Sequence, residues 1–429
     1  MRDVRAGSGL AGLVVIAFAS QACSSGGDRD NGAVGDAESL DDRTPDTEGD
    51  TDFVVDEGGD GRPDAVDGDR ADVDSDGRDA DAEVEVDGDG DGEGGLPRGC
   101  RFVAPTTDIS MGWNGRDSVE DGKLVWRWID ESSGSSVHVL MINELAGDIN
   151  RELLRRTYPD VVEYPVVHAD SICFTSETTA DAMSREVFLV DAASTSVVQL
   201  TTNGSADGYP IAGHDFVVYN AVSDAADGGR LREYHYFDRR DGTEHTIAEH
   251  SGISERAFDG HRWVAYTSDG YLYKFDLLDP GAGPQLVDAE TPGCFGLAFD
   301  RDTGTLVSSA CVIGNCRLAS YDMDTDAMTI LLDDPWDQVL PDVDGHVIVY
   351  EDSQAAGERY GGSMRSDLRI LDRDTGAKRV VMPLDTYYGV GIWERWIAFN
   401  NYGMYGDSLM ICDLVAGGHM TDDLHVVPE

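Results

Sequence analysis

Histidine, tyrosine and arginine supply most of the candidate chemistry in this 429-residue chain. His214, His261 and His346 each follow a glycine, as Gly213-His214, Gly260-His261 and Gly345-His346. Equivalent imidazoles repeated around a common axis could converge on one metal ion. A second set lies in longer loop segments: Tyr360, Arg365, Tyr387, Tyr388, Tyr402 and Tyr405. Tyr402 and Tyr405, in Asn-Asn-Tyr-Gly-Met-Tyr-Gly, are the favoured ligand-contact residues, because a phenol ring stacks on a sugar or peptide while its hydroxyl stays wet. A third set is acidic. Asp72-x-Asp74-x-Asp76-Gly77, followed after five residues by Glu83, has the spacing at which alternate carboxylates converge on calcium. Asp79 stands where such loops prefer an aliphatic residue, so weak Ca2+ association is expected rather than a helix-flanked site. Gly-x-Ser-x-Gly, His-Glu-x-x-His and a glycine-rich phosphate loop before a helix do not occur. No catalytic residue and no other cofactor is assigned.

The elements that must position these residues repeat. An aliphatic pair followed in most copies by an aromatic recurs as Leu124-Val125-Trp126, Ile172-Cys173-Phe174, Val217-Val218-Tyr219, Val264-Ala265-Tyr266, Leu306-Val307-Ser308, Ile348-Val349-Tyr350 and Ile397-Ala398-Phe399. Successive copies start 48, 45, 47, 42, 42 and 49 residues apart. Behind six of them comes a β-type run ending in aspartate, at Asp191, Asp238, Asp276, Asp322, Asp372 and Asp413; the first copy has Met141-Ile142-Asn143. Two signatures in one phase at this period indicate a blade array. Residues 253–290 show the unit: strands over 254–258, 263–267, 271–276 and from 285, with Asp269-Gly270 as a hairpin turn. A single blade cannot bury both faces of its sheet, so seven must stack into a closed ring. In such a ring the glycine-histidine turns are expected to lie far apart around the rim. Lys123, Ser171 and Thr305 also occupy the corresponding positions, so the histidines read as turn residues. The repeated aspartates read as turn acceptors, since an active site is normally assembled once.

The chain resembles the TolB-like β-propeller repeats, through Val343-Asp344-Gly345 before Ile348-Val349-Tyr350, Asp259-Gly260 before Val264-Ala265-Tyr266, and Asp372-Arg373-Asp374-Thr375-Gly376 after Leu371. The resemblance covers residues 117–415 and implies a propeller fold, not TolB's own role. Its Ser-Pro-Asp-Gly core is nowhere intact, and Ser308 stands where blade five should carry an aromatic.

Residues 1–22 read as an export leader: Arg2 and Arg5 precede an apolar run over 10–19 that is too short to span a bilayer. Ser20-Gln21-Ala22-Cys23 resembles a lipobox, which implies an acylated Cys23 and attachment through lipid only. Residues 23–99 form an Asp/Gly-rich tether; over 28–97 it holds 27 acidic residues against 5 arginines, and is expected to be disordered. About −30 of the formal charge of −51 remains on residues 98–429, which disfavours nucleic acid. With Cys23 acylated, six cysteines remain, an even number for an exported chain. Cys311 and Cys316 flank a hairpin turn and are the expected disulfide, with Cys294 as the competing partner. A Cys100–Cys412 link would staple the two ends of the ring.

The fold class is therefore all-β, a seven-bladed propeller over 100–429 behind a leader and an acidic linker. The expected function is non-catalytic recognition of a protein or envelope polymer by a monomer at the outer membrane or cell surface. Alternatives are a periplasmic location, a surface spacer, or a polysaccharide lyase or glycoside hydrolase using loop His, Arg and Tyr residues.

Overall fold

The computed structural model describes residues 96–429 except 105–108, 112–115, 133–134, 148, 159, 178–184, 226–228, 250–254, 289–293, 313–314, 336, 354–365, 385 and 403–407. Cys23, Asp72, Asp74, Asp76, Glu83, Tyr360, Arg365 and Tyr405 lie outside the described residues. The rest is a seven-bladed β-propeller of antiparallel sheets. Blade 1 is built on Lys123–Asp130, Val137–Glu144 and Ile149–Thr157, with its inner edge split between Ile109–Ser110 and Val119–Glu120. Blades 2 to 6 each use four consecutive strands, running from Glu163–His168 in blade 2 to Lys378–Leu384 in blade 6.

The apolar triplets occupy the second strand of every blade, and burial explains their composition. Leu124 and Trp126 pack toward blade 7, while Val125 packs toward blade 2. Ile172 and Phe174 likewise turn back to blade 1, and Cys173 faces blade 3. The same division holds for Ile348 and Tyr350 against Val349, and for Ile397 and Phe399 against Ala398. Side chains alternate along a strand, so a strand buried on both faces needs an unbroken apolar run. Each fully buried member contributes on the order of 1.5–3 kcal/mol relative to exposure. Seven apolar clusters result, one at each junction between neighbouring blades. Ser308 is as buried as its aromatic counterparts.

The third strands end where the aspartates stand: Arg185–Asp191, Arg230–Asp238, Tyr271–Asp276, Asn315–Asp322, Ser366–Asp372 and Ser408–Asp413. Oδ1 of Asp191 accepts the amides of Ala193 and Ser194, and Oδ1 of Asp322 accepts those of Asp324 and Thr325. Those amide donors hold both carboxyls below their ordinary range. The Asp269-Gly270 turn has positive φ at both residues, 51° and 81°, the primed hairpin geometry that favours glycine at its second position.

The ring is closed by the chain's N-terminal side. Cys100–Ala104 forms the outermost strand of blade 7, paired with Ser408–Asp413 in the register Cys100↔Cys412, and these two cysteines form a disulfide. Residues 424–427 add no strand to that edge, and the ladder contact of the tail is an isolated Met420↔Val426 bridge. The edge it would have covered is already paired with Cys100–Ala104. Cys311 is bonded to Cys316 across the hairpin, and Cys173 is buried and free. No helix among the described residues is long and apolar enough to cross a membrane.

The Cys100–Cys412 bond closes a loop with a sequence separation of 312, whereas Cys311–Cys316 spans 5. In the chain-entropy picture the longer loop stabilises more. Cys100→Ser/Cys412→Ser is expected to lose about 2–5 kcal/mol, and Cys311→Ser/Cys316→Ser clearly less. Urea unfolding midpoints check the order, and equal shifts would contradict it.

Candidate functional site

The innermost strands carry a left-handed residue at equivalent places: Tyr164, Tyr209 and Leu340 at φ 50°, 54° and 51°, and Gly296 and Gly389 at 64° and 74°. Each coincides with a break in register between the first and second strands. Pro165, Pro210 and Pro341 follow three of them, since a residue without an N–H fits where the ladder is interrupted. The bulges meet around the axis. The rings of Tyr164 and Tyr209 lie 4.2 Å apart, and a Cβ on Gly296 would stand 2.9 Å from Cδ of Pro341.

A short 3-10 turn, Arg116–Ser118, crosses this centre. Oγ of Ser118 donates to the Pro165 carbonyl of blade 2 at 2.8 Å. The Arg116 guanidinium donates to the Leu297 carbonyl of blade 5 at 2.6 Å and lies 3.8 Å from Glu255 of blade 4. Glu255 accepts the amides of Gly296 and Leu297, the latter at 3.2 Å. In blade 6 the Asp342 carboxylate oxygen accepts the Ile392 amide of blade 7 at 2.8 Å, and Asp344 accepts that of Glu394. Burial pushes the Asp342 carboxyl up to about 8, opposed by the Ile392 amide and Arg116.

At the turns between first and second strands, Arg301 pairs with Glu120 and, at 3.0 Å, with Asp117. Nδ1 of His168 lies 2.8 Å from Glu120 and 2.9 Å from Nη1 of Arg301. Burial, followed by the charge of Arg239, holds His168 below its ordinary value, which favours a neutral ring. The rings of His168 and His261 are 6.2 Å apart, and those of His214 and His261 6.1 Å. The expectation that the glycine-histidine turns stand far apart is therefore wrong for blades 3 and 4. These turns lie at the inner ends of the blades, where neighbours touch. His214 donates its amide to the Gly260 carbonyl at 2.9 Å, and a Cβ on Gly213 would stand 2.5 Å from the same oxygen. Oδ1 of Asp259 accepts the amides of His261 and Arg262 at 2.8 and 2.7 Å, fixing the turn that presents His261.

His346 is placed differently, beside His425 and Asp372. Tyr402 ends the strand Trp396–Tyr402, opposite Thr386. Trp396 is half-buried and packed at the blade 7–blade 1 junction. The sequence reading missed His168, Glu120, Arg116 and Arg301, which share no spacing. The Tyr-Pro or Leu-Pro in the first strands of blades 2, 3 and 6 could have marked strands that surround the axis.

Solved structures with this architecture include an oligogalacturonate lyase in complex with manganese, at 14% identity over 73% of this chain and 92% of that one, TM-score 0.55. They also include the β-propeller domain of the trilobed protease from Pyrococcus furiosus, at 11% identity over 71% of this chain and 95% of that one, TM-score 0.52. TolB from Acinetobacter baumannii is similar at 12% identity over 68% and 79%, TM-score 0.38. The Pyrococcus domain has an open velcro topology, whereas here the strand Cys100–Ala104 pairs across the closure. Identities this low establish the propeller fold and no activity. No protein-family profile matches the chain, and no curated protein is similar to it.

The folded chain keeps a proton on Asp342 up to about pH 8, while the unfolded chain releases it near 3.8. This contribution to stability is complete below the unfolded value and declines as pH rises toward 8, by at most about 1.4 kcal/mol per pH unit. Thermal melts from pH 4.5 to 8.5 are expected to fall less steeply for Asp342→Asn than for the native chain. Parallel curves would refute the assignment.

Proposed function

We propose that the chain is an exported protein, anchored through an acylated Cys23, whose propeller recognises a protein or envelope polymer without transforming it. The observation that carries this reading is the occupied axis. Arg116 and Ser118 bind backbone carbonyls of opposite blades, Arg301 is engaged by Glu120 and Asp117, and Glu255 is engaged by backbone amides. Groups committed to bracing the ring are poorly placed to act on a substrate at its centre, which leaves the faces and rim for contact. The paired cysteines suit an oxidising compartment. The acidic tether suits attachment at a distance from the surface, with the strongly negative chain turning away phosphate-rich polymers.

A second reading, a polysaccharide lyase or glycoside hydrolase, rests on a different observation. His168, His214 and His261 form a row beside Arg301 and Glu120, and His214 and His261 are exposed. Imidazole near guanidinium can remove a proton beside a carboxylate and stabilise the resulting charge.

Purified chain offered soluble polyuronates and neutral envelope polysaccharides, with and without added Mn2+ or Ca2+, is expected to yield no new chain ends. Turnover that disappears in His261→Ala would replace the recognition reading with the enzymatic one. Separately, radioactive palmitate is expected to label the native chain and not Cys23→Ala. Equal labelling would remove the proposed anchor.

A further inference from the structure

We propose that His346, Asp372 and His425 bind one divalent transition-metal ion, zinc or a neighbour in the series, which clips the C-terminal tail to blade 6. The three residues come from separate segments. His346 sits in the turn after the strand Gln338–Asp344, Asp372 ends the strand Ser366–Asp372, and His425 belongs to the tail. One ring nitrogen from each histidine and one carboxylate oxygen all lie within 4.8 Å of one another. Around an ion bound at about 2.0–2.2 Å, tetrahedral ligands stand roughly 3.3–3.6 Å apart. The remaining closure of roughly 1.2–1.5 Å at the widest pair is within reach of the half-exposed His425 side chain.

The other ligands are already held in place. Oδ1 of the fully buried Asp372 accepts the amides of Asp374 and Thr375, both at 3.0 Å, which points Oδ2 at Nδ1 of His425, 2.9 Å away. Leu424 adopts a left-handed φ of 63°, and its carbonyl oxygen lies 3.0 Å from Nε2 of His346. That oxygen is a ready fourth donor. The tail is seated before any ion arrives: Met420 and Val426 are buried at the blade 6–blade 7 junction, and Glu429 accepts the Val380 amide at 2.8 Å. Two imidazoles with a carboxylate and a carbonyl suit zinc, nickel, copper or iron(II), whereas calcium and magnesium prefer oxygen alone.

The test uses the full chain, with zinc chloride and cobalt(II) chloride as the probes. Native mass spectrometry after equimolar zinc and desalting is expected to show one retained ion, absent from His346→Ala and from His425→Ala. Cobalt(II) is expected to give visible d–d absorption of a low-coordinate N/O site in the native chain only. Zinc should also slow carboxypeptidase trimming of the tail about tenfold in the native chain, an effect removed by His425→Ala. Unchanged zinc-free melting of His425→Ala, an exposed position, separates loss of the ion from loss of the fold. Equal retention by the native chain and both variants would place the zinc elsewhere, on the acidic segment for instance, and overturn the site. No retained ion in any of them would reduce the three residues to a hydrogen-bonded surface cluster, and overturn it equally.

Discussion

Burial of the second strand on both faces is the constraint on which the ring depends. A sheet with two apolar faces has no stable isolated form, because either face left in water costs the burial energy of several large side chains. Each triplet sends its first and third residues toward the preceding blade and its middle residue toward the next. One strand thereby serves two junctions, and seven such strands bind every blade to both neighbours. The ring is a consequence: only a closed array gives the first and last blades the same cover as the rest. The strand Cys100–Ala104 and its disulfide to Cys412 act at the one junction where chain connectivity would otherwise not hold the sheets together.

Closing seven sheets brings seven inner strands toward one axis, where backbone crowds and ladders are broken. The bulges at Tyr164, Tyr209, Gly296, Leu340 and Gly389 release N–H and C=O groups that must find partners away from water. The polar residues of the centre meet that need. Glu255 takes two amides of blade 5, Asp342 and Asp344 take amides of blade 7, and the turn Arg116–Ser118 ties carbonyls of blades 2 and 5. Charges gathered there are paired across the ring, as Arg301 with Glu120 and Asp117. Burial instead raises the Asp342 carboxyl well above the usual carboxylate range. Bracing is thus concentrated at the centre, where polar side chains tie neighbouring and opposite blades together.

The aspartates show one residue type doing different work by position. Asp191 and Asp322 do no more than organise the turns that follow them. Asp372 holds its turn with one oxygen and still offers the other to His425, because the tail folds back over the blade 6–blade 7 junction. A repeated structural device can acquire chemistry where a non-repeated segment meets it.

Much of this was determined by the sequence alone: blade count, the positions of the buried triplets, the aspartate turns and the Asp269-Gly270 hairpin. These depend on residues close in the chain, on alternation of side chains and on side-chain-to-backbone bonds spanning two or three residues. The Cys311–Cys316 pair belongs here too, since a hairpin fixes its partners locally. Only the tertiary structure decided which blade edge receives the strand Cys100–Ala104, why residues 424–427 add no strand, and that His214 and His261 stand side by side. It alone joined Arg116 to Leu297 across 181 residues and His346 to His425 and Asp372. The meetings around the axis are set by the radius at which seven sheets close, and the tail's by how it folds back, and no local spacing carries either.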